Sequence, residues 1–287
     1  MGTTLSKPVY KRQDATKTEQ PPIDTVHKAT ATKSALHFGS VSLLNVGATL
    51  SKYVHIGHDA AKSKKPTMTK QSPINLIHDP EDVAMILSAS DAAVQFGSAP
   101  AKIQLVSGGD NFQVNWSDHE QNVLTLKGKK YYTVQFHFHA PSEHTVNGNA
   151  RAMELHLVHQ SEDGCLAVVA VFFCEGKKSA FLSQFWDELT KLAPETHDHV
   201  DVGRISGGQE LNSLLEGKIF RYTGSLTTPP YTEGVEWVVV DEMLEASPEQ
   251  LALYRKFLPS PNARDVQALN DRKVSLCQCS NVVTRAA

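Results

Sequence analysis

Cysteine is scarce: four residues in 287, at Cys165, Cys174, Cys277 and Cys279. That is too few for a disulfide-knit scaffold, and the C-x-C pair Cys277/Cys279 lacks the two further partners a structural zinc site needs. All four are expected to be reduced, with Cys165 and Cys174 as small buried thiols of the run "CLAVVAVFFC". Reduced thiols suit a cytoplasmic or other intracellular compartment. Long apolar runs are also missing. Nothing here is long enough to span a bilayer, and the opening residues lack the charged and apolar regions of a secretory signal. A strong excess of one charge is absent too. Lys and Arg number 28 against 31 Asp and Glu, a formal net charge of -3, which gives no electrostatic reason to expect nucleic acid. The hydrophobic content of 40% is that of an ordinary soluble globular chain, long enough for one large domain or two small ones.

Residues 1–35 ("KRQDATKTEQPPIDT" among them) carry little to bury and read as a flexible N-terminal extension. Their opening, "MGTTLS", matches the myristoylation pattern at Gly2, and Lys7, Lys11, Arg12 and Lys17 would add a basic membrane signal. A chance match in a disordered tail explains the same residues. Residues 36–280 read as one globular domain and 281–287 as a short tail. From about residue 67 the texture is β-rich: "KIQLVSGGDNFQVNW", "VLTLKG", "YYTVQFHFH", "RAMELHLVHQ" and "CLAVVAVFF" alternate or run apolar between Gly, Asn and Asp turns. Two stretches have helical character, "SAFLSQFWDELTKL" by spacing and "SPEQLALYRKF" by its Ser-Pro-Glu start. The expected fold is mainly β with peripheral helices, around one large, mostly antiparallel sheet.

Within that pattern "QFHFHAPSEH", residues 135–144, is unusual. A strand sends alternate side chains to one face, so His137 and His139 point the same way with Gln135 beside them. In "MELHLVH" the same rule puts Glu154, His156 and Val158 on one face and Leu155, Leu157 and His159 on the other. If these strands pair, three imidazoles meet. Three neutral histidines with one position left open is the donor set of a catalytic zinc rather than a structural one. Gln135 and Glu154, each two residues before a histidine, suit acceptors that fix imidazole tautomers. "HFHAPSE" also fits the first half of a cupin metal motif, H-x-H-x3-E, but no second half follows downstream.

Four segments taken together decide between these readings. "QSPIN" (71–75), "QFHFHAPSEHTV", "MELHLVH" and "GSLTTPPYTEGVEW" (224–237) occur in this order and are followed by "NARDVQALNDRKV". In this the chain closely resembles the α-class carbonic anhydrases from about Gln71 to Val274. The resemblance implies a single catalytic domain that hydrates carbon dioxide reversibly to bicarbonate and a proton and is inhibited by sulfonamides. It implies Zn2+ held by His137, His139 and His156. Thr227 would accept a hydrogen bond from zinc-bound hydroxide and donate its own to Glu143, since an ionised carboxylate only accepts. Thr228 would lie beside bicarbonate, and Val158, Val168, Leu226, Val235 and Trp237 would form the apolar wall for carbon dioxide. Gln135, Glu154 and His144 would support the ligands, with Tyr222 as a partner of His144.

Three departures accompany the resemblance. The Trp- and Tyr-rich segment that precedes "QSPIN" in the family is not evident. Tyr231 stands where secreted relatives often carry a disulfide cysteine. Asp110 occupies the position of the proton-shuttle histidine. An exposed Asp has a reference pKa of about 3.9, far from the near-neutral value such transfer needs. Proton release is therefore expected to depend on buffer, unless His119, His55 or His58 substitutes. The rival from another class is a carbonic-anhydrase-like binding protein without turnover. The sequence does not indicate an oligomeric state.

Overall fold

The computed structural model describes residues 68–78, 85–88, 91–106, 111–116, 118, 120–192, 199–258 and 260–279. The N-terminal extension with Gly2, together with His55, His58, Asp110, His119 and the tail 281–287, lies outside the described residues. Fourteen strands occur among those described: β1 Asn75–Leu76, β2 Met85–Leu87, β3 Ala92–Phe96, β4 Ser98–Leu105, β5 Phe112–Trp116, β6 Asn122–Leu126, β7 Lys129–His139, β8 Thr145–Val146, β9 Met153–Gln160, β10 Leu166–Glu175, β11 His199–Ser206, β12 Lys218–Ser225, β13 Glu233–Ala246 and β14 Ser275–Cys279. Twelve of them form one sheet in the order β11-β4-β5-β7-β9-β10-β13-β12-β14-β2, with β6 beside β7 and β3 beside β6. Its pairs are antiparallel except β10/β13 and β14/β2, so the expectation of a mostly antiparallel sheet holds. β1 and β8 pair separately in a small parallel sheet, and the one large sheet, not a jelly roll, removes the cupin reading.

The outer strands alternate as their sequences require. β5 (FQVNW) and β6 (NVLTL) bury every second residue, whereas the central β9 and β10 are buried along almost their whole length. The sheet therefore has a core on each face. The larger contains Phe136, Phe138, Leu155, Leu157 and Val169 and is covered by the helices. The smaller contains Val158, Val168, Ala170, Phe220 and Trp237.

The helix α3, Pro248–Phe257, begins as its sequence says. Ser247 Oγ accepts from Gln250 N and the Gln250 side chain reaches back to the Ser247 amide, a capping box with Pro at the first turn. "SAFLSQFWDELTKL" departs from expectation. Instead of one helix it makes a four-residue helical turn, α1 Ala180–Ser183, and a 3-10 helix, Trp186–Lys191; the short helix α2, Gly208–Asn212, comes later in the chain. Between α1 and the 3-10 helix Phe185 leaves the helical conformation, with φ -145° and ψ -7°, and Phe185 and Trp186 both enter the core. There Trp186 stacks on Tyr254 at 5.8 Å and meets Phe138 edge-on at 4.9 Å. Tertiary packing of two adjacent rings outweighs helical propensity. A second departure is at the cysteines of β10: Cys165 is exposed just before the strand and Cys174 near its end is half-buried, whereas Cys277 and Cys279 are buried, and all four thiols are free.

His159 lies in the larger core, on the face of Leu155 and Leu157 and 5.9 Å from the Phe96 ring. Burial disfavours its cationic form and pushes its pKa from 6.5 down to about 4. Between those values the unfolded chain binds a proton that the folded chain refuses. Stability from this group is full above pH 6.5, falls as the pH drops, and stops falling below about 4. On urea unfolding, the stability lost between about pH 7.5 and about pH 5 should be roughly 2 kcal/mol smaller in His159→Leu than in wild type. Superimposable pH profiles would disprove this account of His159.

Candidate metal centre

The site begins with strand register. β7 pairs β9 antiparallel with His137 opposite His156 and His139 opposite Glu154. A β-bulge between Thr133 and Gln135 shifts the phase of β7. Tyr131 before the bulge, and Phe136 and Phe138 after it, enter the larger core. Gln135, His137 and His139 consequently share the opposite face with Glu154, His156 and Val158. One ring nitrogen from each of His137, His139 and His156 lies within 4.8 Å of the others.

The remaining ring nitrogens are held by acceptors, and this sets the tautomers. His137 Nδ1 is 2.9 Å from Gln135 Oε1, His139 Nδ1 is 3.0 Å from the Asn262 carbonyl, and His156 Nε2 is 2.8 Å from Glu154 Oε1. These oxygens only accept, so the protons sit there and the lone pairs are on His137 Nε2, His139 Nε2 and His156 Nδ1. His139 Nε2 is buried and has no hydrogen-bond partner among the described residues. A buried imidazole lone pair facing two others fits a metal ion and little else. Burial and the neighbouring imidazoles push the pKa of His137 well down; burial also lowers that of His139, though the Glu143 carboxylate opposes it. Both are thereby kept neutral, as metal binding requires.

Glu154 braces the set from behind. Its Oε1 accepts from His144 Nδ1 at 2.6 Å and from His156; its Oε2 accepts from the Glu143 and His144 amides, each at 2.8 Å. Burial pushes its pKa up, but His144 and His156 outweigh that and hold it far below the usual carboxylate range. His144 Nε2 is 2.7 Å from Tyr222 Oη, and Tyr222 Oη is 2.8 Å from Ser72 Oγ. The Trp237 ring lies 4.9 Å from His144 and 5.0 Å from His156.

Thr227 is buried just beyond β12, and Thr228 beside it is exposed. The Thr227–Glu143 hydrogen bond implied by the resemblance is not made. Glu143 Oε1 instead accepts from the Arg264 amide at 2.9 Å, and Oε2, 3.8 Å from His156 Nδ1, has no hydrogen-bond partner among the described residues. The backbone amide has taken one oxygen, and the other is left as a buried acceptor near the His156 ring.

Cross-strand partners share a face, so lateral rows can be followed through the register. From His137 one row runs through Gln113 and Gln104 to His199. The other way it runs through His156, Ala170 and Val239 to Phe220. The histidines therefore stand at a boundary between amide side chains and hydrocarbon. The next row contains Gln135, Val158, Val168, Trp237 and Tyr222. Val158, Val168, Val235 and Trp237 belong to one buried cluster, with Leu226 half-buried against it. His137 is the ligand that keeps partial exposure, which places the open side of the site there.

Two contributors were missed in the sequence. Asn262 supplies the carbonyl for His139, and its side chain accepts from the Ala140 amide and donates to the Phe138 carbonyl. Arg264 holds Glu143 through its amide. Both lie in "NARDV", whose place in the ordered set of motifs was the available signal.

Three converging histidines, with tautomers set by a carboxylate, an amide and a carbonyl and with an apolar cluster beside them, form a group that could hold a metal ion, the donor set of a metalloenzyme class. The family model described as eukaryotic-type carbonic anhydrase matches residues 55–278. Alpha carbonic anhydrase 3 of Arabidopsis thaliana is 37% identical over 218 residues, covering 75% of this chain and 76% of that protein. A carbonic anhydrase of Nostoc is 39% identical over 206 residues, covering 71% and 75%. In structure, the α-carbonic anhydrase of Thermovibrio ammonificans, solved with the inhibitor sulfanilamide, is similar with a TM-score of 0.62 and 36% identity, covering 72% of this chain and 86% of that one. The chain belongs to the α-class carbonic anhydrases, and its reaction is the hydration of carbon dioxide. Among the described residues no helix is long and apolar enough to cross a membrane.

Proposed function

We propose that the chain hydrates carbon dioxide with zinc held by His137 Nε2, His139 Nε2 and His156 Nδ1. The observation that carries this reading is the buried, unpartnered His139 Nε2 beside two imidazoles whose other nitrogens are all tied to acceptors. Zinc, when bound, supplies a Lewis acid that makes water a nucleophile near neutral pH. The protein's own residues do the rest. Val158, Val168, Leu226, Val235 and Trp237 offer carbon dioxide an apolar surface where hydrogen bonding would gain little. Glu143 Oε2, which has no partner among the described residues, is left free to take up the Thr227 hydroxyl when the loop carrying it closes on the site, and Thr228 at the exposed rim receives the bicarbonate product. Glu154, Gln135 and Asn262 keep each ligand in the tautomer that points its lone pair inward.

Stopped-flow hydration together with a zinc determination tests the proposal. One zinc per chain and hydration well above background are expected. Zinc-replete protein at background rates would favour the binding-protein alternative. Aromatic sulfonamides should compete, because an anionic nitrogen suits the metal and a ring suits the Val158/Leu226 wall. Failure of sulfanilamide to inhibit at any attainable concentration would mean that this wall does not border the metal.

A further inference from the structure

Arg264 touches both halves of the site. Its amide donates to Glu143 Oε1 at 2.9 Å, two residues after Asn262 accepts from His139. Its guanidinium lies 3.8 Å above the ring of Tyr231, in the loop that follows Thr227 and Thr228. The same guanidinium donates to the Ser72 carbonyl at 2.6 Å and to Gln71 Oε1 at 3.1 Å, and Gln71 Nε2 donates to the Tyr231 carbonyl at 3.2 Å. Tyr231 has a φ of 60, in the left-handed region that bulky residues rarely adopt, so its backbone needs support from outside the loop. Within the loop only short bonds close the turn: Tyr231 N to Thr228 O and Leu226 N to Thr232 O, each at 2.9 Å.

We propose that Arg264 and Tyr231 form a noncovalent clamp that positions the Thr227–Thr228 loop against Glu143. One residue thereby sets the carboxylate through its backbone and the threonines through its side chain. The clamp is a planar guanidinium on an aromatic face, for which lysine is no substitute and phenylalanine is. Tyr231 and Arg264 are positioning residues, and the inference rests on the roles proposed above for Thr227 and Glu143.

The test uses the full-length zinc protein and the variants Tyr231→Leu, Tyr231→Phe and Arg264→Lys. Tyr231→Leu should lower kcat/KM for hydration about tenfold through kcat, with zinc content unchanged, while Tyr231→Phe stays within about twofold of wild type. Hydrogen exchange over residues 224–234, read with and without zinc, should quicken in Tyr231→Leu and Arg264→Lys but not in Tyr231→Phe. Equal exchange and equal kcat/KM in the leucine and phenylalanine variants would overturn the clamp. Inactive wild-type protein would sink the functional reading instead, and the exchange pattern would still decide whether the clamp exists. If Tyr231→Leu does not fold, Arg264→Lys carries the same comparison.

Discussion

His139→Ala loses both zinc and carbon dioxide hydration, and this is the largest effect expected of any single substitution in the chain. Alanine removes one of three converging imidazole lone pairs, a buried one, and leaves only two ring nitrogens of the group. It also leaves the Asn262 carbonyl without its partner and a void behind Glu143. Zinc analysis after dialysis should give substoichiometric metal, with hydration at background. Gln135→Ala provides the graded comparison. It touches no ligand atom but frees the His137 tautomer, so metal affinity should fall by about 10- to 100-fold rather than vanish. Full zinc retention in His139→Ala would mean that the metal sits elsewhere, and the second grouping of His144, Glu154 and His156 would become the candidate. That grouping is already consumed by hydrogen bonds, with Glu154 Oε1 shared by both imidazoles and Tyr222 on the far nitrogen of His144.

The second large effect separates orientation from metal retention. Thr227→Ala and Glu143→Gln should each keep zinc and lower hydration by roughly 10²-fold, the usual consequence of losing a positioned polar contact. Glutamine is nearly isosteric with glutamate but presents an N–H where an acceptor is wanted. Either Glu143 oxygen can be affected: Oε1 receives the Arg264 amide and Oε2 is the acceptor facing the ligands. Measuring zinc and hydration on the same preparations decides the matter. Wild-type rates in both variants would remove Thr227 and Glu143 from the mechanism, and loss of zinc would make their role structural.

How much of this was legible from residues alone follows the range of each interaction. The pairing of His137 with His139, and of Glu154 with His156, on single strand faces is a local consequence of a two-residue repeat and needs no fold. So is the start of α3 at Ser247, where cap and first turn lie within four residues. Helical spacing at 179–192 failed because the decisive contacts of Phe185 and Trp186 are with Phe138 and Tyr254, distant in sequence. Cys165 failed for the reverse reason: the strand run includes it by composition, but the strand begins one residue later.

By itself, the sequence determined a β-rich chain, two histidine-bearing strands and which three imidazoles could meet, because side-chain alternation and motif order are written along the backbone. Only the tertiary structure decided that His137 stands opposite His156, that a bulge before Gln135 turns the ligands away from the larger core, and that Asn262 and Arg264 return more than a hundred residues later to fix His139 and Glu143. Those outcomes depend on strand register and on which distant backbone groups are left to satisfy a buried donor or acceptor. Neither is settled until the whole sheet has closed around them.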